Sequence, residues 1–138
     1  DALVKKLVFT AQASLDAGIA QMHSGNYLTD ISAAIQKEVE VADFGVVRDF
    51  AGHGIGKSMH EDPEILNYGN PGQGPRLREG MAFALEPMIT QGSYQVYIDV
   101  DGWTVKTKDK SLAAHVEDTI IVTQNGPEVL TRLENEGR

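Results

Sequence analysis

The chain has 138 residues, 41% of them hydrophobic and 23% charged, with no cysteine and a formal net charge of −8. That length and balance suit one globular domain with a core of its own. The acid excess argues against a general nucleic-acid binder, the missing cysteines exclude a thiolate zinc site and a disulfide framework, and no apolar run approaches the ~18 residues of a membrane span.

The first residue is Asp1 rather than Met, and the helical pattern begins at once, so a fragment or a processed chain is expected. Leu3, Leu7, Ala11, Leu15 and Ile19 recur every four residues, with Val4, Val8 and Met22 widening the stripe. This predicts an amphipathic helix that ends near His23 and Gly25. A turn follows, with Thr29 or Asp30 as N-cap of a second helix that buries Ile31, Ala34, Ile35, Val39 and Ala42 and stops at Gly45. The hydrophobic period then changes from 3.6 to 2. Residues 46–50 read as a short strand that runs into the glycine-rich turn Gly52-His53-Gly54-Ile55-Gly56. Residues 61–80, with Pro63, Pro71 and Pro75, are expected to form a long surface loop. Residues 81–85 read as a strand stopped by Pro87, which has no N–H to give a ladder. Residues 94–100, 103–108 and 113–123 read as three more strands, with Asp101-Gly102 and Asn125-Gly126 as hairpin turns. Residues 1–45 are therefore two helices and residues 46–138 an antiparallel sheet with a long loop, an α+β arrangement.

Three segments carry side chains that such strands would not bury without a purpose. In the glycine-rich stretch, alternating glycines bring the backbone close around His53. In residues 81–86 the period-2 pattern sets Glu86 with Ala82 and Ala84 on one face, and a buried carboxylate there requires a cation or hydrogen-bond donors. The strand at 113–123 is apolar apart from a face carrying His115, Glu117 and Thr119. One imidazole and two carboxylates, His53, Glu86 and Glu117, form a mixed N/O ligand set suited to a hard or borderline divalent metal, and point to a metallohydrolase. His60, on the far side of the glycine stretch, is a candidate donor or proton shuttle. His115 reads equally as a contact to that site and as a surface residue. Ala51 to Ser58 nearly spells a phosphate-binding loop, but Pro63 follows too soon for the helix that such a loop opens. Asp101 is explained as the turn residue before Gly102; Asp99 has no assignment.

Together these segments resemble the type I methionine aminopeptidases of the pita-bread metallopeptidase fold. The matching residues are Gly52 to Gly56 with His60-Glu61, Gly80-Met81 through Leu85-Glu86-Pro87-Met88, Asp101-Gly102-Trp103-Thr104-Val105-Lys106-Thr107-Lys108-Asp109, and Ser111 to Val122. The helices fit as well, so the resemblance spans nearly the whole chain as the C-terminal half of one pita-bread domain. It implies removal of N-terminal methionine from nascent proteins whose second residue is small. Two divalent ions (Co, Mn, Fe, Zn or Ni) would serve that hydrolysis, with His53, Glu86 and Glu117 as ligands. Glu86 would also be the general base, His60 would contact the substrate and the oxyanion, and Met59 and Trp103 would line the methionine pocket. The family's two remaining ligands are aspartates of the N-terminal half, which precedes residue 1, so the chain alone is expected to be inactive. The implied partners are N-terminal Met peptides, the ribosome and the missing N-terminal half, in the cytoplasm, with no membrane and no specific nucleic acid. Two other readings stand beside this one. One is a non-catalytic pita-bread module that binds a partner; the other is a prolidase-like dipeptidase, although such relatives do not share the 103–107 stretch.

Overall fold

The computed structural model describes residues 1–132. Helix α1 runs over Ala2–Ile19, with Asp1 as its cap: Oδ1 accepts from the Leu3 amide at 2.9 Å. Helix α2 runs over Leu28–Val41 with Tyr27 as its cap, two or three residues earlier than Thr29 or Asp30 would have capped it. Asp30 lies instead inside the first turn, and its carboxylate accepts from the Tyr27 amide at 2.8 Å. The helix stops before Gly45, at Val41, and two residues on Asp43 takes a positive φ of 62°.

The strands form three antiparallel sheets. A five-stranded sheet has the order β10-β9-β4-β2-β3, with β2 at Gly52–Ile55, β3 at Glu61–Ile65, β4 at Ala82–Leu85, β9 at Asp118–Thr123 and β10 at Gly126–Val129. A three-stranded sheet has the order β1-β5-β8, with β1 at Gly45–Val46, β5 at Met88–Thr90 and β8 at Ala113–His115. A hairpin pairs β6 at Val96–Ile98 with β7 at Val105–Thr107. Both helices lie on one face of the large sheet. There Leu15, Ile31 and Ile35 pack on Phe83, Leu85 and Ile120, and each such side chain contributes roughly 1.5–3 kcal/mol on burial. A second cluster, with Leu7, Ala11, Val39 and Ile89, seats the helices on the small sheet.

Three expectations are corrected. Residues 61–65 are not loop; they are the edge strand β3, paired with β2 across a register shift at His53/Gly54. The glycine stretch is not a turn; it is the inner strand β2, and none of Gly52, Gly54 and Gly56 takes a positive φ. Its glycines serve close approach: a Cβ on Gly52 would collide with the Ala84 carbonyl oxygen, and one on Gly54 with that of Asp62. The segment 113–123 is not one strand; it breaks at Val116 and Glu117 into β8 and β9, which belong to different sheets. The cause lies on the neighbouring strand, where Pro87 cannot donate, so the ladder is interrupted on both sides of the pair.

Because the obstacle at Gly52 is backbone, the sheet has to move to admit a side chain. Gly52→Ala is expected to lose about 1–3 kcal/mol of stability. Urea unfolding checks this, and an unchanged midpoint would show that β2 has slack to yield.

Candidate metal centre

Glu86 is at the middle of the site. The register of the large sheet ends with Leu85 opposite Asp118, and that of the small sheet begins with Met88 opposite His115. Two residues on each strand separate these rungs, so Glu86 stands opposite Glu117, and Pro87 opposite Val116. One hydrogen bond closes the gap, from the Val116 amide to the Pro87 carbonyl at 3.2 Å. The two carboxylates thus leave the chain at a corner where neither strand continues its ladder.

Two imidazoles reach the same carboxylate. His53 is paired with Ala84, whose small side chain leaves room for the ring, and its Nε2 lies 3.3 Å from Glu86 Oε1. His115 Nε2 lies 3.5 Å from Glu86 Oε2. One ligand atom from each of Glu86, His115 and Glu117 falls within a common span of 4.8 Å. The His53 tautomer follows from its other nitrogen: Nδ1 lies 2.9 Å from the Gly54 carbonyl oxygen, which can only accept. Nδ1 therefore donates to that carbonyl, which leaves Nε2 as the nitrogen facing Glu86. Imidazole nitrogens facing a carboxylate, with a second carboxylate opposite, are a donor set that a cation would complete. The residues present fit a divalent metal on that chemistry.

His115 is the member whose importance the sequence did not reveal. Its pKa is raised, chiefly by the hydrogen bond to Glu86 and further by the charges of Glu86 and Glu117, against the opposing effect of burial. A second contributor is Asn67, which is fully buried and donates from Nδ2 to the Glu86 backbone carbonyl at 2.9 Å. It lies in the segment expected to be mere surface loop, where an Asn among glycines and prolines carries no visible signal.

The remaining candidates surround this corner. The His60 ring stacks obliquely on His53, with centroids 4.1 Å apart. His60, Glu86, His115 and Trp103 all line a mostly apolar groove of about 740 Å³, whose walls include Phe50, Val96 and Ile98. Trp103 is 87% exposed at the hairpin turn, and Met59, 72% exposed, is not among the residues lining that groove. Asp101 is a turn residue: its carboxyl, hydrogen-bonded by the Thr104 hydroxyl and by the Trp103 and Thr104 amides, sits below the usual carboxylate range. Asp99 is paired with Lys106. No helix follows Gly56 before β3, which removes the phosphate-loop reading.

The family model for metallopeptidase family M24 matches residues 1–124. A methionine aminopeptidase of Clostridium acetobutylicum is 53% identical over 129 residues, covering 94% of this chain and 52% of that protein. The crystal structure of the methionine aminopeptidase of Thermotoga maritima superposes with a TM-score of 0.94 at 46% identity, over 96% of this chain and 53% of that one. A prolidase of Pyrococcus horikoshii shares the fold alone, at a TM-score of 0.69 and 21% identity over 99% of this chain and 33% of that one. The chain spans about half the length of the curated relatives it matches.

With the His115 pKa raised, its charged form is stabilised below the ordinary imidazole value, and that stabilisation fades as pH rises through the elevated one. An NMR titration of the ring protons in chelator-treated protein should therefore place the His115 midpoint above the ordinary imidazole value. Addition of Mn²⁺ or Zn²⁺ should drive the proton off at lower pH.

Proposed function

Since this chain belongs to metallopeptidase family M24, whose pita-bread fold it shares, we propose that the Glu86 corner is the metal-holding part of a methionine aminopeptidase. The observation that carries this reading is the convergence of His53, His115 and Glu117 on the Glu86 carboxylate, at a place where two strands break together.

His53, Glu86 and Glu117 would hold the divalent ions, with His115 beside them on the free side of Glu86. When bound, the metal lowers the pKa of a water molecule and polarises the scissile carbonyl. Glu86 accepts the proton of the attacking water, since its carboxylate meets two imidazoles that fix its orientation. His60, stacked on His53 at the mouth of the groove, donates to the oxyanion as the first peptide bond is attacked. The apolar groove beside Glu86, walled by Phe50, Val96 and Ile98, accepts an apolar part of the peptide, and Trp103 covers its outer end. Nascent chains with an N-terminal Met and a small second residue are the substrates of this reading, met at the ribosome in the cytoplasm. No helix of the described residues is long and apolar enough to cross a membrane.

The N-terminal half of the fold would supply the two further aspartate ligands and close the groove. The 138-residue chain should accordingly bind Mn²⁺ stoichiometrically yet release no Met from a Met-Ala-Ser peptide. Calorimetric titration is the first test. Glu86→Ala and Glu117→Ala are each expected to weaken Mn²⁺ binding at least about 10-fold. Failure of the unsubstituted chain to bind Mn²⁺, Co²⁺ or Zn²⁺ would favour the non-catalytic binding module. In the whole protein, a preference for peptides with Pro in second position would favour the prolidase-like alternative.

A further inference from the structure

A charged residue next to the metal corner points the other way, into the helix layer. Asp118 follows Glu117, and its cross-strand partner Leu85 precedes Glu86, so this pair is the last rung before both strands break. By alternation Asp118 shares the helix-facing side of β9 with Ile120 and Val122, both fully buried, and is itself 4% exposed. Both of its oxygens are occupied. Thr131 Oγ1 donates to Oδ1 at 2.7 Å, while Arg132 donates to Oδ2 from Nε at 2.7 Å and keeps Nη2 in ion-pair contact with the same oxygen at 2.6 Å. The same Arg132 Nη2 bonds Asp16 of α1 at 2.6 Å. Thr131 also takes the Thr119 amide at 3.1 Å, and the Leu130 amide donates to the Thr119 carbonyl at 2.8 Å.

Stability alone does not call for this arrangement. An apolar side chain at residue 118 would extend the Ile120 and Val122 row, and replacing a buried ion pair with matched apolar groups is often neutral or stabilising. What the ion pair adds is a directional tie, because Arg132 holds Oδ2 while the Thr131 hydroxyl holds Oδ1, so the carboxylate is fixed in orientation as well as in position. We propose that Asp118 is a positioning residue: through Thr131 and Arg132, braced on Asp16, it fixes the rung beside the corner so that Glu117 faces Glu86. This rests on the metal-centre reading for its purpose and on the clamp geometry for its substance.

Native-state hydrogen exchange on metal-free protein tests the clamp independently of metal binding. The probes are the Val116 amide, which bridges the corner, and the Val122 amide, which lies further along β9. Asp118→Asn should speed exchange at Val116 about 10-fold and leave Val122 within about two-fold. Arg132→Gln should do the same, and Arg132→Lys should restore part of the protection. The double variant Asp118→Leu/Arg132→Met, which fills the space without charge, should match the wild-type melting temperature and still exchange rapidly at Val116. Equal acceleration at both amides, or none at either, would overturn the proposal. A Mn²⁺ titration of Asp118→Asn should then show about 10-fold weaker binding than the wild type. A wild type that binds no metal but shows the Val116 effect would refute the metal reading and leave the clamp standing.

Discussion

Two like charges set directly opposite each other across an antiparallel pair are the constraint on which this structure turns. Glu86 and Glu117 occupy that relation, since the register that pairs Leu85 with Asp118 resumes unshifted at Met88 and His115. In an unbroken sheet such a pair is destabilising. Here the ladder is interrupted at those residues by Pro87, and the carboxylates face a recess into which His53 and His115 also point. Such a cluster of donors is one that a cation would complete. The rest of the fold serves the corner: helices α1 and α2 hold the sheet from behind, Asn67 holds the Glu86 carbonyl, and the small residues Gly52, Gly54 and Ala84 let β2 approach β4 closely enough for the His53 ring to arrive.

Much of this could be read in the sequence, and the failures have a common physical origin. The helix stripes were legible because each helix buries one face, so period and burial agree at Leu7, Ala11, Leu15 and Ile19 and at Ile31, Ile35 and Val39, whereas Leu3, Val4 and Val8, expected in the same stripe, are exposed. Glu86 and Glu117 were legible because a carboxylate in an apolar strand needs a reason. The break at Val116 was not, because nothing in residues 113–123 marks it; the interruption is imposed by Pro87 on the partner strand. Once that segment was taken as a single strand, His115 was placed simply on the Glu117 face, with no indication that its ring would meet Glu86 from the other sheet. The strand at Gly52–Ile55 was hidden for the opposite reason. Glycine usually signals a turn, and only the pairing partner reveals that the missing side chains make room for carbonyl oxygens.

The charges within the corner are linked to what it can hold. Two carboxylates face one imidazole whose proton is retained more strongly than usual, because Glu86 accepts its hydrogen bond and Glu117 lies near. A proton on His115 therefore offsets half of the carboxylate charge, whereas a divalent ion offsets all of it. A divalent ion held at Glu86 and Glu117 would repel the charged form of the His115 imidazole beside it, so cation and proton would compete for this corner. Affinity should then rise with pH across the range in which His115 titrates. The selectivity of such a corner for a divalent cation follows from its own electrostatics, and the oxygen-rich, thiolate-free donors favour Mn, Fe, Co or Zn over softer ions.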